Sequence, residues 1–280
     1  MTMKMEKPPR IFRKMHGLGN DFVIFDGRAD RLDLTGDQAR HIADRHLGIG
    51  CDQVITLMAS DRADVFMRIQ NVDGSEVNAC GNATRCVGDI LMGETGRDRV
   101  TIETGGGILA ATRDEDMIRV DMGIPLRDWQ QIPLSEKMDT DHMELTVGPL
   151  SDPVAVNMGN PHVVFFVTNI EEIPLAELGP QVEHHPLFPE RVNVSIIEDR
   201  GNGHLRQRVW ERGAGITRAC GSAACAATVA ATVRGLVDHK AVITLDGGIL
   251  HMYWDGDNHV QMTGSVTHVF DGEINLDQIP

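Results

Sequence analysis

The sequence predicts an α+β fold of two pseudo-symmetric lobes, each a mostly β, barrel-like structure around a central helix. Three observations carry this expectation. ACGNATRC at 79–86 and ACGSAACA at 219–226 both place a cysteine, a glycine and a small polar residue ahead of a helix-like run. Asn20 to Cys80 and Asn160 to Cys220 are both separations of 60 positions. VTIETGGGILAATRDEDMIRVDMG at 100–123 matches VITLDGGILHMYWDGDNHVQMTG at 242–264, each reading as strand, Gly-rich turn, strand, acidic turn and strand. Together they describe a tandem duplication with a period near 140, far longer than any solenoid repeat.

In chain order, Gly17, Gly19 and Asn20 break the chain before a strand at 22–25. Thr35 offers a cap for a short helix over 35–47, with 171–178 as its counterpart. After Cys80, the residues Ala83, Cys86, Val87, Ile90 and Leu91 share one helix face that stops at Gly93. After Cys220, Ala223, Ala226, Ala227, Ala230 and Val233 do the same and stop at Gly235. Gly105 to Gly107 and Gly247 to Gly248 read as hairpin turns, because no Lys-Ser/Thr and no helix follows them as in a phosphate loop. The polar stretch 127–149 reads as a linker, giving an N-terminal lobe at 1–126, completed by a C-terminal strand at about 266–280, and a C-terminal lobe at 127–265.

Composition bounds the function. With 280 residues and 41% hydrophobic content the chain can bury a core, and at 4% aromatics small and aliphatic residues must fill it. Twenty-six basic against 41 acidic residues give a net charge of -15, which opposes nucleic acid as a partner. The basic start, MTMKMEKPPR, has no apolar segment behind it, and the aliphatic run at 163–167 is too short to span a bilayer, so a cytoplasmic location and no membrane partner are expected. Five cysteines, an odd number, read as free thiols, and none has zinc spacing, so no metal is expected. His184 and His185, beside Pro186 and Pro189, read as an exposed loop.

The chemistry follows from the paired thiols. A cysteine at a helix start meets unpaired backbone N–H groups and the positive end of the helix dipole, both favouring thiolate. Duplicated lobes would present Cys80 and Cys220 to opposite sides of one ligand, a geometry for racemisation or epimerisation. The N–H groups of Gly81, Asn82, Gly221 and Ser222 would receive the α-carboxylate as it gains charge. Cys86, six residues past Cys80 and about 240° round the helix, reads as core, as does Cys225. A thiol redox protein with a reversible Cys80–Cys220 disulfide, or an amino-acid-binding protein, are the alternatives outside isomerase chemistry.

HGLGNDF, NVDGSEVNACGNATRC, GNPHVVF, RVNV and ERGAGITRACGSAACA resemble, in order and over nearly the whole chain, the diaminopimelate epimerases. That resemblance implies a pyridoxal-independent, cofactor-free isomerase that interconverts LL- and meso-2,6-diaminopimelate for lysine and peptidoglycan precursors, commonly as a homodimer. It implies Cys80 and Cys220 as catalytic thiols. The implied substrate contacts are Asn20, Gln53, Asn71, Gly81 and Asn82 in the first half, and Asn160, Asn193, Glu211, Arg212, Gly221 and Ser222 in the second. His162 and Glu211 would poise the thiols, with Glu211 also holding the distal ammonium and Arg212 the distal carboxylate. Proline or hydroxyproline racemases share the two-thiol design, but their ring substrates lack a distal charged end. Ile216, Ala83, Thr84, Ala223, Cys51 and Phe270 depart from the commoner family residues.

Overall fold

The computed structural model describes residues 8–279, so most of the basic start and Pro280 lie outside the described residues. The chain forms two compact units: one runs to Ile118 and takes back the segment from Val266 onward, and the other is Arg119–Ser265. The division thus falls at Ile118/Arg119 instead of the expected 126/127, inside a strand.

In the first lobe β1 (Arg10–Gly17), β2 (Asn20–Asp26), α1 (Gly36–Ala43), β3 (Gln53–Met58), β4 (Val65–Asn71), α2 (Gly81–Thr95), β5 (Arg99–Thr104) and β6 (Gly107–Asp114) precede β7 (Met117–Asp121), which spans the division. The second holds β8 (Thr146–Val147), β9 (Leu150–Ser151), β10 (Val154–Asn157), β11 (Pro161–Phe166), α3 (Leu175–Glu183), β12 (Asn193–Asp199), β13 (His204–Glu211), β14 (Gly215–Thr217), α4 (Gly221–Val233), β15 (Lys240–Leu245), β16 (Gly248–Trp254) and β17 (Val260–Gly264). β18 (Thr267–Ile274) returns to the first lobe and pairs antiparallel with β1 as its outer strand.

The duplication extends to strand register. β2 and β3 run parallel with Val23 opposite Val54, and β11 and β12 run parallel with Val163 opposite Val194. Val54 faces Gln70 across β3 and β4 as Val194 faces Trp210 across β12 and β13. Each parallel pair is bridged by a helix, α1 or α3 for the first and α2 or α4 for the second, as parallel strands require a crossover.

The long helices fill the lobes. α4 has Ala223, Ala224, Ala226, Ala227, Ala230 and Ala231 sealed from solvent and packs on β10, β11, β12 and β16. A helix apolar all round belongs inside a core, and its alanines let the strands approach closely. α2 packs on β1, β5 and β6 and carries a fully buried Arg85.

Three expectations need correction. The first long helix runs through Gly93 and is closed at Gly96, whose φ of 70° supplies the left-handed turn; Gly93 has open space around it and costs only helix propensity. The counterpart of the first short helix is broken by Pro174 into a 3-10 turn at Ile170–Glu172 and α3. The stretch 127–149 is not a free linker, because Ile132, Leu134, Met143 and Leu145 are buried in the core of the second lobe with Phe165 and Val194. Among the described residues no helix is long and apolar enough to cross a membrane.

Candidate active site

Each lobe builds one half-site on the same frame. Cys80 and Cys220 are the cap residues of α2 and α4, both extended (φ -150° and -125°). At any helix start the first-turn N–H groups have no partner within the helix, which suits them to receive an anion. The two glycine hairpins support these starts from behind: Gly106 N–H donates to Asn78 O and Gly247 N–H to Arg218 O, both at 2.8 Å and both two residues before the cysteine. A Cβ on Gly105 would fall 2.8 Å from Asn78 Oδ1 and push that amide aside.

In the first half-site, Asn20 at the head of β2 accepts through Oδ1 from Asn82 Nδ2 at 3.1 Å and from the Cys80 thiol at 3.8 Å. Its Nδ2 donates to Asp52 Oδ2 at 2.9 Å. Gln53 and Asn71, opposite one another on β3 and β4, are joined Nε2 to Oδ1 at 3.0 Å. Beneath them Lys14 and Arg45 pair with Asp21 at 2.5 and 2.7 Å. Burial alone would raise the Asp21 carboxyl, but the bonds and charges of Arg45 and Lys14 win and hold it down at about 2.

In the second half-site, Asn160 Oδ1 accepts from His162 Nε2 at 2.8 Å. His162 is sealed from solvent, and burial together with the charge of Arg212 pushes its imidazole down to about 3, so it is a neutral donor. Asn193 donates from Nδ2 to Pro161 O and accepts the Arg212 N–H through Oδ1, both at 2.9 Å. Cys220 is 6% exposed and lies 3.5 Å from Ser222 Oγ. Its thiol is pushed well above the usual cysteine range by burial first and by the Glu211 charge second, against the smaller opposing help of Ser222 and the Ala223 N–H. The helix start alone predicts a thiolate there; burial beside a carboxylate overrides it and keeps the proton on.

Residues 12–127 and 154–269 match the family model described as diaminopimelate epimerase, once for each lobe. The chain belongs to the diaminopimelate epimerase family. It is 53% identical over 274 residues to the diaminopimelate epimerase of Rhodospirillum centenum (97% of this chain, 94% of the relative), and 51% identical over 267 residues to that of Acidiphilium cryptum (95% and 96%). By fold it is similar to a phenazine biosynthesis protein of the PhzF family from Bacillus anthracis (TM-score 0.68, 20% identity, 96% of this chain and 99% of that one). It is similar also to a hydroxyproline epimerase from Agrobacterium vitis (TM-score 0.65, 15% identity, 98% and 95%). At those identities the likeness is one of fold alone, so it does not favour a ring substrate.

Within this epimerase family frame, two contacts bear on the expected roles. Glu211 accepts from Thr217 Oγ1 and faces the Cys220 thiol. Arg212 is exposed, with Nη1 donating to Glu190 O at 2.9 Å, which leaves further guanidinium donors for a carboxylate. The motifs did not single out Asp52, Arg45 or Glu183. Glu183, only 2% exposed, holds the loop after Glu211 by accepting Gly213 N–H at 3.0 Å and Trp210 Nε1–H at 2.7 Å. Asp52 stands beside Gln53 in GCDQ, yet its partner in the repeat is Val192, so pairing the halves hides it. The remaining cysteines, Cys51, Cys86 and Cys225, are buried and in no disulfide, and burial pushes Cys51 and Cys86 up to about 12. Among the described residues no cluster of three metal-binding side chains occurs.

Proposed function

We propose that this protein interconverts LL- and meso-2,6-diaminopimelate without a cofactor, by moving one α-proton between two cysteines. The observation that carries the reading is the matched pair of helix-capping thiols in lobes duplicated down to strand register. Cys80 as thiolate takes the α-proton, the C–H electrons pass into the α-carboxylate, and Cys220 as thiol returns a proton to the opposite face, leaving the charge on its own sulfur. In the reverse direction the roles exchange. An α-hydrogen is a very weak acid, so the developing charge must be met by preformed donors, here the backbone N–H groups of Gly81, Asn82, Gly221 and Ser222. Burial, with the charge of Glu211 added to it, makes Cys220 hold its proton in the free enzyme, which fits it for the acid role. Arg212 then takes the distal carboxylate, while Gln53, Asn71, Asn160 and Asn193 supply amide contacts.

The reading includes a homodimer joined along β18, supported by that strand's outer position and by Val269 and Phe270, which are 51% and 46% exposed there. It also places the enzyme in the cytoplasm, supplying lysine and peptidoglycan precursors.

Incubation with LL-diaminopimelate in D2O tests the function. Wild type should form meso product with deuterium at one α-carbon, and replacement of either cysteine by serine should stop product formation. Exchange with proline but not with diaminopimelate would sink the reading.

A further inference from the structure

The amide of Asn20 must choose a direction. Its Oδ1 and Nδ2 are alike in shape, so only their partners decide which one faces sulfur. Nδ2 donates to Asp52 Oδ2 at 2.9 Å, which turns Oδ1 toward Cys80 at 3.8 Å and toward Asn82 Nδ2 at 3.1 Å. Asp52 is itself clamped on three sides. Its Oδ2 also accepts the Asp21 N–H at 3.1 Å, its Oδ1 accepts from Arg45 Nη2 at 2.7 Å, and its own N–H donates to Asp21 O at 2.9 Å. An ionised carboxylate can only accept, so reversing the Asn20 amide would set two oxygens against each other.

We propose that Asp52, held by Arg45, is a positioning residue that locks the Asn20 carbonyl oxygen toward Cys80, so that this sulfur holds its proton more tightly and, as thiolate, is a stronger base. A hydrogen bond accepted from the neutral thiol favours the protonated form, whereas a reversed amide would donate to the thiolate and weaken it as a base. The second lobe supports the assignment by contrast: Asn160 is oriented by neutral His162 instead, and Val192 stands where Asp52 does. Other charged or titratable groups around the first half-site are Lys14 and His16 on β1, Asp21 on β2, Arg45 after α1 and buried Arg85 on α2; none changes identity in the central comparison below.

The proposal rests on Cys80 being a proton carrier, but its test is read without diaminopimelate, so the two can fail separately. In a Cys220→Ala background, alkylation of Cys80 by iodoacetamide is followed against pH by mass spectrometry, the other three cysteines being buried. Asp52→Asn should move the profile to lower pH by about one unit, roughly tenfold faster alkylation below the midpoint. In an added Asn20→Ala background, Asp52→Asn should change nothing, because the amide through which it acts is gone. An unmoved profile, or a shift of equal size with and without Asn20, overturns the proposal. Should Asp52→Asn fail to fold, Arg45→Gln, on a half-exposed side chain, carries the same cycle: a smaller shift in the same direction that needs Asn20 supports it, and no shift overturns it.

Discussion

The two half-sites share a frame and differ in the charges set upon it. Both start with an asparagine at the head of a strand and a cysteine capping a helix, in the same strand register. The first lobe fixes its asparagine with a carboxylate clamped by arginine, while the second uses a buried neutral histidine at the position where the first has Phe22. Asn71 at the end of β4 corresponds to Glu211 at the end of β13, so a carboxylate stands beside only the second thiol at this position. Duplication supplies symmetry of placement, and a few substitutions then make the surroundings of the two thiols unlike. A reaction that needs one acid and one base at the start requires that difference.

The comparison can be broken most severely at the sulfurs. Cys80→Ala and Cys220→Ala should each lower epimerisation by roughly 10²–10⁴-fold, the usual contribution of a general acid or base, measured as meso product formed from LL substrate. Equal residual activity with neither thiol would mean the pair is not the proton carrier. Next comes Glu211→Gln, which removes the charge that adds to burial in keeping Cys220 protonated. Its expected cost is on the order of 10²-fold in rate, with Cys220 alkylated at lower pH than in wild type.

Stability against pH sharpens the contrast between His162 and Phe22. Because His162 sits at about 3 in the folded protein and near 6.5 when unfolded, the unfolded chain binds the extra proton in between. Stability is therefore fully present above pH 6.5 and falls as pH drops toward 3. From pH 7 to 5 the loss attributable to this residue is about 2 kcal/mol, and His162→Phe should remove most of it in urea titrations at the two pH values. His259, raised by its bond to Asp121, works the other way, losing its contribution as pH rises, but that pair is about a third exposed and weak. Asp21 enters only below about pH 4. The smallest effect concerns the short helices: α1 has a capping box between Thr35 and Gln38, whereas α3 follows Pro174 without a side-chain cap. Thr35→Ala should cost about 1 kcal/mol in the same titrations and leave epimerisation unchanged.

Most of the frame was legible in the sequence because a duplication makes each half a control for the other. The 60-residue spacing, the two cysteine-opened helices and the glycine hairpins all depend on local signals that occur twice. What the sequence concealed was what occurs once. Asp52, Arg45 and Glu183 act through contacts with residues distant in the chain, and the repeat offers no second copy to draw notice to them. The polar look of 127–149 hid four spaced apolar residues that join a core extending as far along the chain as Val194 and Ile196. A helix start favours thiolate at both cysteines alike and does not tell them apart; at Cys220 burial and a neighbouring carboxylate outweigh a terminal dipole worth about 0.3–1 kcal/mol.

The strand that closes the first lobe is made only after the second lobe. β1 obtains its outer neighbour from residues 267–274, so while the ribosome is still working through the second lobe, the first presents an unpaired edge to the cell. Synthesis from the amino end lets most domains finish in order, but here the opening domain is completed only after its successor, and a chain released early would leave that edge available for mispairing.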